Sequence, residues 1–363
     1  MGSVKDLHIV DKPTERTVGF GWFDFTNDYS VFDWGKMPDT IPGKGASLCM
    51  TSAYFFELFK KAGIETHYRY LGTPSGEFTF TTDAKEPASK MYVKLVRVIE
   101  PKFSEEDGGK KRVYDYSVFT PNLVNFLIPL EVIYRNGLPV GSSVFKRLKC
   151  DEMTPGDLGL DHYPQENEML PKPLLDLSTK LEKGDKYPTW KQRWEWAKMI
   201  TGMNDAEIRE MQDRMYVSSR IISEESAKTG LIDWDGKLEF AYDPFRKLIV
   251  VDAVGTLDEC RKTTKMPRFT LFSKEAGRQY YKKTQPEWVA DIDAAKARAE
   301  KEGVEEWKQF VTTEPRPMNQ NLLTIISWMY QSFTNELLGR RIFDTLTIAE
   351  TEREYLKYLE LMK

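Results

Sequence analysis

Three residues on alternate positions, Asp235, Lys237 and Glu239, open the chemistry of this chain. They fall in Leu231–Tyr242, which reads as a strand, and side chains at i, i+2 and i+4 of a strand point to one face. A turn at Asp243-Pro-Phe-Arg246 and a return segment, Lys247–Val254, make the pair a β-hairpin and bring up Asp252, followed by Asp258 and Arg261. Several carboxylates beside a lysine and an arginine form the kind of cluster that holds Mg²⁺ together with phosphate. The metal takes hard oxygens and the phosphoryl oxygens take point charges. The same spacing also suits charged cross-strand pairs on a solvated sheet face, and spacing alone leaves both readings open.

A second constellation runs from Ile128-Pro-Leu-Glu to Arg135-Asn-Gly and on to Gly141-Ser142-Ser143. An apolar strand that delivers an arginine to a Gly-Ser-Ser turn offers a planar fork, hydroxyls and backbone amides, all of which match phosphate or carboxylate oxygens. A surface arginine after a buried strand is the plainer alternative. Two short segments, Gly2-Ser3-Val4-Lys5 and Gly43-Lys44-Gly45, could cover phosphates, and Lys94 is a further candidate phosphate contact. Neither segment fits G-x-x-x-x-G-K-[ST] or G-x-G-x-x-G, and an ordinary turn is the commoner explanation of each. No G-x-S-x-G, H-E-x-x-H or C-x-x-C occurs. Cys49, Cys150 and Cys260, like His8, His67 and His162, are too scattered for a disulfide framework or a zinc site.

The elements that must position these residues are mixed. Residues 1–100 read as strands and loops around one aromatic helix, Ser47–Lys61, ended by Gly63; Met91–Ile99 is a strand. Ser104–Lys111 reads as a hairpin tip, Leu127–Tyr134 as a buried strand, and the Pro-rich stretch 151–190 as a long ordered loop. Asp205–Thr229 is a helix with Asp205 as its N-cap and Gly230 as its stop. The last hundred residues are helical in pattern. Their Trp328–Met329–Tyr330 stripe fits core packing, with a cap over a cleft or a dimer contact as the functional options.

At 363 residues with 20 Phe, 17 Tyr and 9 Trp, the chain can bury a large core, and its length suggests two lobes with an appendage. A formal charge of −4 argues against a general nucleic-acid binder while leaving a nucleotide-sized substrate open. No apolar run approaches the ~20 residues of a membrane span, and the first residues lack a signal-peptide pattern. The expected location is the cytoplasm.

In order and spacing these pieces resemble the SAICAR synthetase family, in the longer form found among archaeal members. The resemblance is carried by Gly2–Val10, Asn27-Asp-Tyr-Ser-Val-Phe-Asp33, Pro42-Gly-Lys-Gly45 and Gly63-Ile-Glu-Thr-His67. It continues through Pro129-Leu-Glu131 to Arg135-Asn136 with Gly141-Ser142, Ser178-Thr-Lys180, Asp235-Gly-Lys-Leu-Glu-Phe240, and Asp252 through Asp258 to Arg261. Ala253, Leu257, Glu259 and Cys260 depart from the family's usual residues. The resemblance implies a two-lobe α+β fold: a kinase-like or ATP-grasp-like nucleotide lobe over 1–100, a substrate and Mg/ATP lobe over 101–270, and a helical C-terminal extension over 271–363. It implies an ATP- and Mg²⁺-dependent ligase that condenses carboxyaminoimidazole ribotide with L-aspartate, and it leaves a homodimer possible. On the same basis Lys5, Lys180, Glu239 and Asp252 would serve ATP, with Glu239 and Asp252 holding the metal, and Lys94, from the residue reading above, is counted with the ATP contacts. Arg135, Ser142, Ser143, Lys237 and Arg261 would grip the ribotide, and Asp235, Lys237 and Arg135 would be catalytic. The alternatives are a paralogous carboxylate-amine ligase and a non-catalytic nucleotide-binding regulator.

Overall fold

The computed structural model describes residues 4–362 except 107–110, Lys183, Asp185, Met266, Ser273 and Glu305. Gly2 and Ser3, and the tip of the 104–111 hairpin, lie outside the described residues. Two antiparallel sheets organise the molecule. The first has the order β1-β2-β5-β3-β4, from β1 (Lys5–Asp11), β2 (Gly19–Phe25), β3 (Tyr68–Gly72), β4 (Phe78–Thr79) and β5 (Lys90–Leu95). Helix α1 (Lys44–Lys61) packs on it, burying Leu48, Phe55, Phe56 and Phe59. A separate ribbon pairs β6 (Lys102–Glu106) with β7 (Lys111–Asp115).

The second sheet has the order β11-β10-β8-β9, with β12 also on β10. Its strands are β8 (Phe126–Leu138), β9 (Glu168–Thr179), β10 (Leu231–Tyr242), β11 (Leu248–Val251) and β12 (Cys260–Thr264). The expected hairpin is present as β10 and β11. The stretch read as a Pro-rich loop contains β9 instead. Pro171 and Pro173 hide it, and it tolerates them because it is an edge strand on this path, where a missing N–H can face away from the ladder.

Two short helices, α2 (Val144–Lys149) and α3 (Arg193–Thr201), follow β8 and precede α4 (Asp205–Lys228). The cap of α4 is Asn204 rather than Asp205. Its side chain accepts from Ala206 N and Glu207 N at 2.9 and 3.0 Å, while Glu207 reaches back to Asn204 N. The remaining helices are α5 (Glu275–Thr284), α6 (Pro286–Glu302), α7 (Gln320–Leu338) and α8 (Ile348–Leu361). Met329 and Tyr330 of α7 are buried in the same core as α1, α4 and both sheets. No helix among the described residues is long and apolar enough to cross a membrane.

Candidate active site

Strand register builds the site. Across the second sheet Asp235 stands opposite Arg135 on one side and Arg261 on the other, and Glu239 stands opposite Glu131, which in turn faces Ser178. Directly opposed side chains share a face, so Glu131, Arg135, Asp235, Lys237, Glu239, Asp176 and Arg261 converge on one side of the sheet. These are not solvated cross-strand pairs: Asp176, Asp235, Glu239, Arg135 and Glu131 are all buried. Buried charge persists only when paired and hydrogen-bonded.

The pairing is dense. Two like-charged glutamates, Glu131 and Glu239, are bridged by two lysines. Lys180 Nζ lies 2.6 Å from Glu239 and 3.2 Å from Glu131, and Lys237 Nζ lies 2.6 Å from Glu131 and 3.5 Å from both Glu239 and Glu259. Lys180 leaves the end of β9, so the missed strand is what delivers it. Lys5, from the first sheet, pairs with Asp252 and lies 5.0 Å from the Phe23 ring centroid, joining the two sheets across the site.

Asp252 adopts φ +70°, a conformation that L side chains rarely take, and its carbonyl lies 3.2 Å from His67 Nε2. Burial pushes the His67 imidazole down to about 3, outweighing the nearby Asp252, so it is neutral at physiological pH. As the neutral tautomer with hydrogen on Nε2, it donates to that carbonyl.

The two carboxylates behave oppositely. Burial, and then the charge of Asp252, raise Glu239 to about 7 against the pull of Lys180 and Lys237. Burial would also raise Asp252, but Lys5, Lys180 and Lys237 outweigh it and hold it below the usual carboxylate range. Lys180 and Lys237 are raised because glutamate charges overcome burial. Two buried carboxylates that repel one another are the residues here that could hold a divalent cation, which would offset their charge. Among the described residues no group of three or more His, Cys, Asp or Glu side chains is placed to hold a metal ion.

Beside this array lies an arginine-rich end. Arg261 Nε donates to both Asp235 oxygens at 2.9 and 3.1 Å, and Arg135 Nη1 approaches Asp235 at 3.3 Å. Arg135 also donates to Ser143 Oγ at 3.3 Å and stands 3.6 Å from Asp176, which Arg147 holds at 2.9 Å. Ser142 Oγ is buried with no hydrogen-bond partner among the described residues. A hollow of about 200 Å³ opens here, lined by Asp235, Lys237, Asp258, Arg261, Lys274 and Arg278 among others.

Lys94 is not brought into this group. It stands opposite Phe20, and Lys5 stands opposite Phe25; five residues apart on a regular strand, these lie on opposite faces of the first sheet. Lys94 instead lines a separate hollow of about 330 Å³ with Lys60, Glu65 and Arg69.

Sequence reading missed Glu131, Asp176, Lys274 and Arg278 as site residues, and it singled out Asp258 and Lys44 only as members of the hairpin's charged cluster and of a short Gly/Lys segment. Glu131 and Lys44 lay inside motifs already singled out. Asp176 was hidden with β9, and Lys274 and Arg278 reach the hollow only through the packing of α5.

The comparisons agree with this architecture. The family model for SAICAR synthetase matches residues 1–295. A putative phosphoribosylaminoimidazole-succinocarboxamide synthase of Archaeoglobus fulgidus is 42% identical over 361 residues, covering 99% of this chain and 100% of its own. The synthase of Thermoplasma volcanium is 34% identical over 269 residues, covering 72% of this chain and 77% of its own. Among solved structures, the SAICAR synthase of Saccharomyces cerevisiae complexed with SAICAR superposes with a TM-score of 0.57 at 18% identity, covering 92% of this chain and 96% of that one. A SAICAR synthetase in complex with ADP gives 0.53 at 21% identity, covering 87% and 99%. By the extent of the family match and by its full-length likeness to the archaeal relative, the chain belongs to the SAICAR synthetase family.

Proposed function

We propose that the protein condenses carboxyaminoimidazole ribotide with L-aspartate at the expense of ATP, in the presence of Mg²⁺, to give SAICAR, ADP and phosphate. The observation that carries this reading is the buried alternation of cations and carboxylates, Lys5–Asp252, Lys180–Glu239 and Lys237–Glu131, running directly into the Arg135–Asp235–Arg261 ladder. It offers a polyphosphate-and-metal end and an anion-binding end on one continuous face. The ADP- and SAICAR-bound neighbours support the same pairing of ligands.

A carboxylate is a poor electrophile, and the reaction joins one to an amine. ATP would phosphorylate the ribotide carboxylate, the γ-phosphoryl P–O bond breaking as the acyl phosphate forms. The aspartate amine would then attack the carbonyl, expel phosphate and lose its proton. The chain's contribution is positioning and charge neutralisation. Glu239 and Asp252 would hold the Mg²⁺, which offsets charge on the triphosphate when bound. Lys5 and Lys180 would offset the remaining phosphate charge, and Arg135, Ser142, Ser143, Lys237 and Arg261 would grip the ribotide, with Asp235 orienting both arginine forks.

Phosphate release by the purified protein with Mg-ATP, aspartate and the ribotide, each omitted in turn, tests the proposal. Release that needs all three supports it; release indifferent to the ribotide would overturn it.

A further inference from the structure

The family match ends at residue 295, yet α7, which begins at Gln320, touches the site. Tyr330 donates its hydroxyl to Asp258 Oδ1. The other carboxylate oxygen, Oδ2, lies 2.7 Å from Lys44 Nζ, and that ammonium stands 5.4 Å from the centre of the Tyr330 ring. Lys44 is fully buried, Tyr330 nearly so, and Asp258 lines the 200 Å³ hollow beside Arg261, Lys237 and Lys274. Three more α7 side chains fasten the turn that carries Lys44. Ser327 Oγ and Gln331 Nε2 donate to Pro42 O at 2.6 and 3.1 Å, and Thr334 Oγ1 donates to Ser47 O at 3.3 Å. A Cβ on Gly43, which is at φ +75°, would stand 2.5 Å from Gln331 Nε2 and would push that side chain aside.

We infer that Tyr330 is a positioning residue for substrate binding, supplied from outside the family's matched span. It clamps the Asp258 carboxylate onto Lys44 and so keeps it from swinging across the hollow to Lys274. An ammonium paired with its own protein's carboxylate must give up that partner before it can serve an anionic ligand, whereas one left to the hollow has no such partner to lose. The ligand class concerned is the phosphate- and carboxylate-bearing acceptor rather than the nucleotide. This inference rests on the ligase reading of the same site.

The test compares Tyr330→Phe with Ser327→Ala and Thr334→Val, which loosen α7 against α1 without touching Asp258. Tyr330→Phe should raise the KM for the ribotide by about tenfold, leaving kcat and the KM for ATP within about twofold. The two control variants should leave all three constants near wild type. Equal behaviour of the three variants, or a rise in the KM for ATP alone, would overturn the inference. Hydrogen exchange of the ligand-free proteins over residues 256–262 gives a second readout that needs no turnover. Tyr330→Phe should speed it by about tenfold where the controls do not, and unchanged protection would refute the clamp. Absence of ribotide-dependent turnover in the wild type would reject the proposed function, and the exchange experiment would still decide the clamp.

Discussion

Replacing Glu239 by Gln should abolish ATP turnover and, in the metal-free protein, make the fold more stable above neutral pH. Glu239 is fully buried against Asp252, and its carboxyl is raised from 4.5 to about 7. A group raised in this way contributes stability that is fully present below the unfolded value and is lost as pH rises through the folded one. For Glu239 that window runs from 4.5 to about 7. Its width corresponds to on the order of 3 kcal/mol, the net cost of keeping the ionised carboxylate folded beside Asp252 when only Lys180 and Lys237, and no metal ion, offset it. Gln has the same shape as the protonated acid and does not titrate, so it escapes this cost. For a chain of this length such a difference moves the melting temperature by roughly 4 °C. The assay is thermal unfolding of wild type and Glu239→Gln in chelator across that window. The variant should melt higher at about pH 8, with the gap closing toward pH 5. Adding Mg-ATP should stabilise the wild type more than the variant, because a ligand stabilises only the state that binds it. A variant that melts lower at alkaline pH, or that retains turnover, would refute both the electrostatic argument and the assignment of the metal to Glu239.

Other perturbations have distinct signatures. Arg135→Lys loses the planar fork that spans Asp235 and Ser143, so the KM for the ribotide should rise by about tenfold while that for ATP stays near wild type; steady-state kinetics with each substrate varied will separate the two. Lys262, whose ammonium lies 2.7 Å from Asp233 with both side chains fully buried, should cost about 3–5 kcal/mol when changed to Met, measured by urea unfolding. Adding Asp233→Leu should recover part of that loss, because no charge is then stranded. His67→Gln keeps a donor for the strained Asp252 carbonyl and His67→Ala does not, so the KM for Mg-ATP should rise further in the alanine variant.

What could be read from the sequence divides along physical lines. The β10–β11 hairpin was legible because period-two alternation and a Pro-containing turn are local signals, and the same alternation placed Asp235, Lys237 and Glu239 on one face. Helix α4 was legible from its apolar repeat, though the cap fell one residue earlier, on Asn204, since Asn and Asp both cap and only the backbone turn distinguishes neighbours. β9 was concealed by two prolines that argue against a central strand but are harmless at an edge, and with it went the origin of Lys180 and the burial of Asp176. Lys94 shows the converse: it lies in a strand legible from the sequence, yet the face it occupies is set by register against β2, a long-range property.

That division bears on how the site works. Glu131 and Glu239 stand directly opposite each other on adjacent strands, an arrangement that is unfavourable between like charges unless something else is built around it. Here Lys180 and Lys237, from two different strands, occupy the space between them and are raised by the surrounding carboxylates. Neither glutamate alone accounts for two bridging lysines, and a charged pair is not needed to stabilise a sheet interior, where apolar residues of similar volume serve as well or better. The local cost fits residues kept for the proposed chemistry rather than for stability. On the proposed function, entry of a nucleotide and its metal would let the lysines turn from the glutamates to phosphate oxygens, with the metal offsetting the charge of Glu239 and Asp252 in their place. Such an exchange of partners would keep charge balanced before and after binding, so that the fold would organise the electrostatic environment of the proposed reaction in advance.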